Sequence, residues 1–312
     1  MTAAQVPPST VSPAPARGGA SAPAPAAEAG APPVRELAAR LRSAGCVFAE
    51  EEARLLIAAA GPAAAAADAD PVAVLEELAA RRMTGEPLEL VVGWAEFGGL
   101  RIAVTPGVFV PRRRSELLAR EALAALAAIP GAGSGDRFWS GTVAVDLCCG
   151  AGGIGAVLLE ACPGLELHAA DLDAAAVRCA RGNLVPRGGR VHQGDLYAAL
   201  PPGLRGRVSL ITANAPYVPS AEIPLLPAEA RDHEPRTALD GGADGLDVLR
   251  RVLDGAGEWL LPGAGTVVLE TSDRQAPALL EHAASVGLSA RTVEDEDLAA
   301  TALIATRSAA TA

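Results

Sequence analysis

The chain has 312 residues, of which 50% are hydrophobic and only 3% aromatic, and its formal net charge is −11. This length excludes a small domain held together by disulfides, because a chain of this size buries about three quarters of its unfolded surface and folds as one or two domains. The charge argues against broad electrostatic binding to nucleic acid or to an anionic membrane, since all 26 basic residues are arginine and 37 acidic residues outnumber them.

The cysteines and histidines predict no metal site and no disulfide framework. The five cysteines are odd in number and no pair has C-x-x-C spacing, while the four histidines lack the spacing of metal ligands. Every apolar run is interrupted before it could span a bilayer, and the chain does not start with a basic segment followed by an apolar one. We therefore expect a soluble cytoplasmic protein.

The first third of the chain predicts a tail and a helical domain. Residues 1–33 are mostly Ala, Pro, Ser and Gly, so they cannot bury enough apolar surface to fold and are predicted to be a disordered tail. From Val34 onward, apolar residues recur at i, i+3, i+4 and i+7, as on one face of a helix. Asp70 and Pro71 suit the N-cap and first position of a further helix. We predict a small helical domain over 34–92.

A β-like stretch links this helical domain to the rest of the chain. Leu88–Val92 and Leu100–Val104 are predicted strands, separated by a turn at Gly98-Gly99. The stretch Leu88–Val92 is the start of the linker and ends the first domain. A second domain is therefore predicted over 93–312.

In the second domain, strand-like runs alternate with helical patterns. The predicted strands are Thr142–Leu147, Leu165–Ala170, Arg190–His192, Val208–Ala213 and Thr266–Leu269. This alternation predicts an α/β fold, in which a mostly parallel sheet is covered by helices on both faces. The apolar runs Ser289–Val293 and Ala302–Thr306 are candidates to complete the sheet.

A turn of small residues after the first strand of this sheet predicts a ligand site. The sequence from Asp146 to Gly152 leaves a buried strand and opens a helix, where backbone N–H groups can approach a ligand closely. Glycine at 150 and 152 removes the Cβ atoms that would block that approach.

Two further acids follow the next two strands. Asp171 ends the second strand, where a carboxylate can accept hydrogen bonds from both ribose hydroxyls. Asp195-Leu196 follows the third strand and is a candidate for contact with an adenine. Together with the turn, these positions predict a nucleoside site.

The turn has competing interpretations. It could be a tight strand-to-helix connection without a ligand, or a dinucleotide site, but the latter has G-x-G-x-x-G and faces a pyrophosphate. Here the pattern is Asp146-x-Cys148-x-Gly150-x-Gly152, and an acid before the loop would repel phosphate. A cationic ligand fits better, which favours S-adenosylmethionine, a sulfonium that also carries an ammonium group. The adjacent Cys148 and Cys149 are interpreted as small fillers and not as a redox pair, because vicinal disulfides need strained geometry.

The segment Asn214-Ala215-Pro216-Tyr217 follows the fourth strand, at the sheet edge where ligands bind in open α/β folds. It resembles the Asn-Pro-Pro-Tyr signature of methyltransferases that act on planar amino or amide nitrogens. Its surroundings are similar to the protein-(glutamine-N5) methyltransferases, the HemK/PrmC family. The matching segments run in the family's order between residues 34 and 297. They include Gly85-Glu86-Pro87, Phe97-Gly98-Gly99-Leu100, Phe109-Val110-Pro111-Arg112, Ser115-Glu116, the Asp146 turn, Glu234-Pro235-Arg236 and the segment 238–246.

The resemblance implies a helical substrate-recognition domain in front of a Rossmann-like class I methyltransferase domain that uses S-adenosylmethionine. It implies catalytic roles for Asn214, Ala215, Pro216 and Tyr217, with Tyr217 lining the amide pocket. The implied cofactor-binding residues are Asp146, Cys148, Gly150, Gly152, Asp171, Asp195, Leu196 and Asn214. The implied substrate-binding residues are Arg112, Glu116 and Glu234.

The sequence departs from the family pattern at four places. Ala215 replaces the first proline of the signature, and Cys148 replaces the first glycine of the turn, which matters if φ is positive there. Arg113-Arg114 stands where the family has proline and an acid. The closing Asp-Leu-x-Gly-x-x-Arg pattern is reduced to the segment Asp297–Leu303. The last two changes indicate a protein substrate different from the usual one.

The predicted function is transfer of a methyl group from S-adenosylmethionine to the side-chain amide of a protein glutamine. Release factors with their Gly-Gly-Gln loop, or a ribosomal protein, are the substrates that the resemblance implies. Two alternatives stay open at this point. One is methylation of an amino group in DNA or RNA, against which the acidic balance weighs. The other is a non-catalytic paralogue that binds the cofactor, against which retention of Asn214, Pro216 and Tyr217 weighs.

Overall fold

The computed structural model describes residues 32–129 and 139–307, so nearly all of the predicted tail lies outside the described residues. The chain begins with four helices, α1 (Pro32–Ser43), α2 (Ala49–Ala67), α3 (Pro71–Met83) and α4 (Leu88–Val92). Helix α3 starts as predicted, because the Asp70 side chain accepts a hydrogen bond from Val72 N at 3.2 Å. Apolar side chains from Val34 to Val91 form one buried cluster in this helical unit.

The prediction of a strand over Leu88–Val92 is wrong, because this segment forms α4. An apolar run of this length has no periodicity that separates helix from strand. Pro87 precedes the helical turn and Gly93, with a φ of 82°, ends it, and both residues suit the ends of a helix.

Helix α4 leads into a hairpin of β1 (Trp94–Phe97) and β2 (Leu100–Ala103), which pair antiparallel across the Gly98-Gly99 turn. Helix α5 (Glu116–Ala127) follows. Arg82 also ties the helical unit to a later part of the chain, since its guanidinium lies 2.7 Å from Glu52 and 2.9 Å from Glu229.

The remaining chain builds one sheet of seven strands with five helices among its described residues. The strands are β3 (Val143–Leu147), β4 (Glu166–Asp171), β5 (Arg190–Gln193), β6 (Val208–Ala213), β7 (Thr266–Thr271), β8 (Leu288–Asp295) and β9 (Ala300–Arg307). The helices are α6 (Gly153–Ala161), α7 (Ala174–Leu184), α8 (Ala228–His233), α9 (Asp247–Trp259) and α10 (Ala276–Ser285).

The strand order is β5-β4-β3-β6-β7-β9-β8. Strands β3 to β7 pair in parallel, and β9 joins β7 and β8 antiparallel. The predicted α/β class is confirmed, and the two apolar runs near the carboxyl terminus do complete the sheet as β8 and β9.

Helices cover both faces of the sheet. One core contains side chains of α5, α6 and α7, and the other contains side chains of α9 and α10. Strand β3 serves both, because Ala144 packs into the first core while Val143 and Val145 pack into the second. All five residues of β3 are buried on both sides, as expected for a central parallel strand.

The topology fixes where a ligand can bind. Strands β3 and β6 are neighbours but far apart in sequence, so the connections leaving them diverge to opposite faces and open a crevice at their carboxyl ends. The turn after Leu147 and the segment after Ala213 therefore face each other. In residues 32–129 and 139–307, no helix combines the length and apolar character needed to cross a bilayer.

Candidate active site

A cavity of about 420 Å³ opens at this crevice. Its lining includes residues at the carboxyl ends of four parallel strands: the turn after β3, Asp171 and Leu172 at the end of β4, Asp195 and Leu196 after β5, and Asn214–Val218 after β6. Phe97 of the hairpin, Gly107–Phe109, Pro111 and residues between Pro235 and Leu239 also contribute to the wall. The structure thus brings together most of the residues that the sequence predicted for cofactor and reaction.

The turn after β3 has the backbone that close approach to a ligand requires. Cys148, Gly150 and Gly152 all have positive φ values, of 53°, 54° and 83°. A residue with a Cβ is strained by about 1–2 kcal/mol in this region, so the replacement of glycine by Cys148 does carry a conformational cost. Gly152 does not line the cavity, and a Cβ there would lie 3.0 Å from Leu184 of α7. Its glycine therefore serves helix packing.

Asp146 lies beneath the turn and not in the cavity wall. The residue is 1% exposed, and its carboxylate accepts hydrogen bonds from Thr212 Oγ1 at 2.9 Å and from Gly155 N at 3.2 Å. Burial raises the pKa of this carboxyl from 3.8 to about 7. Asp146 joins β3, β6 and the start of α6, so it supports the turn, and its contact with the cofactor stays a prediction.

Asp171 combines a structural role with an open binding face. One carboxylate oxygen accepts from Gly150 N and the other from Asp173 N, each at 2.9 Å. Each oxygen keeps a further lone pair, and the residue lines the cavity, as binding of a ribose diol requires. Burial raises the pKa of the Asp171 carboxyl above its ordinary value. The next residue, Leu172, is 64% exposed and lines the same cavity, which gives a flat base an apolar surface.

Asp195 and Leu196 lie at the end of β5, also in the cavity wall. The Asp195 carboxylate accepts from the Arg251 guanidinium at 2.7 Å, so one of its oxygens already has a charged partner. Leu196 has a φ of 46°, in the left-handed region, and its side chain is buried.

Asn214 is held by a residue that the sequence did not identify as part of the site. Its Nδ2 donates to Ser115 Oγ at 3.0 Å, and Ser115 is only 3% exposed. In the described part of the chain, neither Asn214 Oδ1 nor the Ala215 carbonyl accepts a hydrogen bond. Asn214 and Ala215 therefore keep two acceptors that no described residue uses, and Ser115 fixes the amide orientation that leaves Oδ1 free.

The segment Asn214–Val218 is held by the segment 239–245 and by Gln275. Val218 N donates to Leu239 O at 3.0 Å, and Gln275 Nε2 donates to Tyr217 O at 2.9 Å and to Asp244 O at 3.0 Å. Gly245 has a φ of 78°, and a Cβ there would lie 2.3 Å from Tyr217 O. This close approach gives a structural reason for the glycines in the segment 238–246, which together with Asn214–Tyr217 is among the segments that match the family.

Tyr217 is anchored by two charged residues. Its hydroxyl donates to Glu270 Oε1 at 2.9 Å, and Arg114 Nε lies 3.2 Å from the same oxygen. The Arg114 guanidinium also lies 5.5 Å from the centre of the Tyr217 ring. Burial raises the pKa of the Tyr217 phenol above its ordinary value, so it stays protonated at neutral pH. Glu270 is a second site residue that sequence reasoning missed, because it lies inside a buried strand.

The three predicted substrate-binding residues lie outside the cavity lining. Glu234 accepts hydrogen bonds from Val110 N and from the Arg112 guanidinium, which holds the cavity-wall segment in place. Glu116 accepts from Gly98 N at 3.2 Å and fixes the hairpin turn against α5. Their direct contact with a substrate stays a prediction.

Comparisons with known proteins show similarity to methyltransferases. Residues 136–225 match the family model described as methyltransferase small domain. A release factor glutamine methyltransferase of Bradyrhizobium diazoefficiens is 38% identical over 252 residues, covering 78% of this chain and 82% of the relative. Its counterpart in Streptomyces coelicolor is 40% identical over 210 residues, covering 67% and 70%. A 4-amino-L-phenylalanine/4-methylamino-L-phenylalanine methyltransferase of Streptomyces pristinaespiralis is 37% identical over 195 residues, covering 62% and 64%.

Proposed function

The chain belongs to the family of release factor glutamine methyltransferases, and from this premise we propose that it methylates the side-chain amide nitrogen of a glutamine in a peptide chain release factor. The methyl donor is S-adenosylmethionine. Such a substrate places the enzyme in the cytoplasm, at translation termination. A ribosomal protein is the other protein substrate that the sequence resemblance implies.

The observation that carries the proposal is a pair of unused acceptors at the end of β6. Asn214 and Ala215 line the same cavity as Asp171, and neither Asn214 Oδ1 nor the Ala215 carbonyl accepts a hydrogen bond from the described residues. A primary amide has two N–H donors on one nitrogen, so two neighbouring acceptors match its donor pattern.

These acceptors can make an amide nitrogen reactive enough for methyl transfer. An amide nitrogen is a poor nucleophile, because its lone pair is delocalised into the carbonyl. Holding both N–H groups favours the tetrahedral form of the nitrogen, whose lone pair can face the methyl group. Positioning alone provides effective molarities of about 10⁵ to 10⁸ M, so no strong base has to remove a proton before transfer. The proton leaves the nitrogen afterwards.

The replacement of proline by Ala215 preserves this arrangement. The contact proposed for this position uses a backbone carbonyl, which alanine retains. Pro216 keeps the preceding residue in the extended region, and Ala215 is 1% exposed, so its surroundings also restrict it.

The cavity residues fit the cofactor. Asp171 offers carboxylate oxygens to the ribose hydroxyls, the exposed Leu172 and the buried Leu196 offer apolar surface to the adenine, and the turn at Gly150 allows close approach. When bound, S-adenosylmethionine supplies an electrophilic methyl group on a sulfonium. The residues of this chain supply its placement next to Asn214.

The test is transfer of labelled methyl from S-adenosylmethionine into a cell extract that lacks this enzyme, with separation of protein from nucleic acid. We expect label in a protein, mapped by mass spectrometry to a glutamine, and none with Asn214→Ala. Label in nucleic acid would overturn the proposal in favour of an amino-group methyltransferase. Binding of the cofactor without Asn214-dependent label would indicate the non-catalytic paralogue.

A further inference from the structure

A second cavity, of about 370 Å³, adjoins the first. Tyr217 and Arg114 line both cavities. Ala299, Ala300 and Thr301 line the second cavity as well, so it joins the two segments in which the chain departs most from the family pattern. The two departures are far apart in sequence and form one local feature of the structure.

The walls of this cavity are strongly acidic. Among the residues that the structure describes, Arg114 is the only basic one in its lining, whereas Asp273, Glu294 and Glu296 are exposed at its rim. Glu270 and Asp295 add two further carboxylates, and Asp295 already pairs with Arg120 at 2.7 Å. The cavity therefore carries a net negative charge that the described residues do not neutralise.

Two buried polar groups in the wall lack partners. Glu270 is 3% exposed and uses Oε1 for Tyr217 and Arg114, while its Oε2 has no hydrogen-bond partner among the described residues. Thr271 is 4% exposed, and its hydroxyl also lacks a partner there. Buried acceptors without partners are costly and rare, and a donor that reaches them recovers this free energy.

The geometry favours an organic cation over a metal ion. In residues 32–129 and 139–307, no three His, Cys, Asp or Glu side chains converge as a metal ion requires. A guanidinium or ammonium group instead carries several N–H donors and can use acceptors spread around a cavity. Because Tyr217 lines both this cavity and the one that contains the proposed amide site, the occupant of this cavity would lie close to the target glutamine.

We propose that this cavity binds a basic side chain of the protein substrate, an arginine or a lysine that lies near the target glutamine. This inference rests on the proposed function, since it concerns the same substrate. It assigns the altered segments at Arg114 and Ala299–Thr301 to substrate selection.

The experiment uses synthetic peptides that contain one Gly-Gly-Gln sequence. Arginine is placed at successive positions on either side, and each peptide has a twin in which neutral citrulline replaces arginine. We expect kcat/KM to be about tenfold higher for arginine than for citrulline at the position that reaches the cavity, as for one charge-assisted hydrogen bond. Calorimetric binding of the same peptides provides a readout that does not need turnover.

A double variant at the rim, Glu294→Gln with Glu296→Gln, removes charge without touching Tyr217 or Asn214. It should lose most of the arginine preference and keep the citrulline rate. The matched control is Glu281→Gln, an exposed acid on α10 that does not line the cavity. This control should keep both rates.

The outcomes separate the two proposals. Equal kcat/KM and equal affinity for every arginine and citrulline pair would overturn the cavity assignment while leaving glutamine methylation intact. An arginine preference that survives in the double variant would also overturn it. Failure to methylate any peptide and any intact release factor would instead overturn the proposed function.

Discussion

The two halves of the main cavity are built in different ways. The half proposed to bind the cofactor is lined by Cys148–Ala151 of the turn, Asp171 and Asp195–Leu196, which lie at the carboxyl ends of β3, β4 and β5 or just after them. The reaction half, formed by Asn214–Tyr217, follows only β6, and its side chains are held by residues from elsewhere, Ser115 and Glu270.

This difference shows which part of a site an α/β sheet supplies automatically. Parallel strands bring their carboxyl ends to one edge, so the cofactor half follows from strand order alone. The reaction half needs contacts between segments far apart in sequence. It also borders the second cavity, whose lining includes Arg114 and Ala299–Thr301, where this chain departs from the family pattern. We therefore expect the two halves to respond differently to substitution.

The largest expected effect is a loss of turnover on substitution of Asn214, in the reaction half. Asn214→Ala removes an acceptor proposed to hold the amide nitrogen, so we expect kcat to fall by about 10² to 10³ while cofactor affinity stays nearly unchanged. Steady-state kinetics with calorimetry of S-adenosylmethionine binding measures both. Unchanged turnover would exclude Asn214 from the reaction. An equally large loss of affinity for S-adenosylmethionine would show that Asn214 also binds the cofactor, so that the two halves do not have separate roles.

The cofactor half should show the opposite pattern. Asp171→Ala removes the carboxylate proposed to bind both ribose hydroxyls, so we expect the affinity for S-adenosylmethionine to weaken by about 1–3 kcal/mol. Because Asp171 also holds Gly150 N, the unfolding midpoint of the cofactor-free variant has to be measured as a control. A wild-type affinity in calorimetry would exclude Asp171 from the cofactor site.

The third prediction concerns pH and the support beneath the turn. The Asp146 carboxyl has a pKa of about 7 in the folded protein against an ordinary 3.8. The folded state thus binds more protons between these values, and stability should fall as pH rises through this window. Asp146→Asn abolishes this pH dependence. The asparagine oxygen can still accept a hydrogen bond from Gly155 N, and its amide nitrogen can donate one to Thr212 Oγ1.

Urea unfolding of the cofactor-free proteins at pH 5 and pH 7 checks this. Between pH 5 and pH 7, the free energy of unfolding of the wild type should fall by about 2 kcal/mol relative to that of Asp146→Asn, since each pKa unit corresponds to about 1.4 kcal/mol. Glu281→Gln is the control for an exposed acid. Parallel stability curves for wild type and Asp146→Asn would show that the buried carboxyl does not titrate in this window.

The smallest expected effect concerns Ser115, which positions Asn214. Ser115→Ala leaves the Asn214 amide without its acceptor, so we expect kcat to fall about three- to tenfold, the loss of one neutral hydrogen bond. Ser115→Thr keeps the hydroxyl and should restore most of the rate. A loss in both variants would indicate a packing effect and not orientation of Asn214.

Much of this architecture can be predicted from the sequence. The strands β3, β4, β6 and β7 and the closing pair β8 and β9 are visible as apolar runs, because buried parallel strands are continuously hydrophobic. The prediction failed at Leu88–Val92, where a short apolar run has no helical or strand periodicity. Local backbone cues at Pro87 and Gly93 decided the structure there.

The candidate site shows the same limit. Asp171 and Asn214 are predictable because each ends a strand, whereas Ser115 and Glu270 become part of the site only through tertiary contacts. Asp146 shows that a residue in the right motif can lie under a turn and not in the cavity wall. Sequence position gives the strand end, and the direction of the side chain depends on its packing.

The most direct test of the central claim is tandem mass spectrometry of a purified bacterial release factor after incubation with this protein and S-adenosylmethionine. The account predicts one added methyl group on the side-chain amide of the glutamine in the Gly-Gly-Gln loop, and no such product with Asn214→Ala. A methyl group on another type of residue, or the same product with Asn214→Ala, would contradict it.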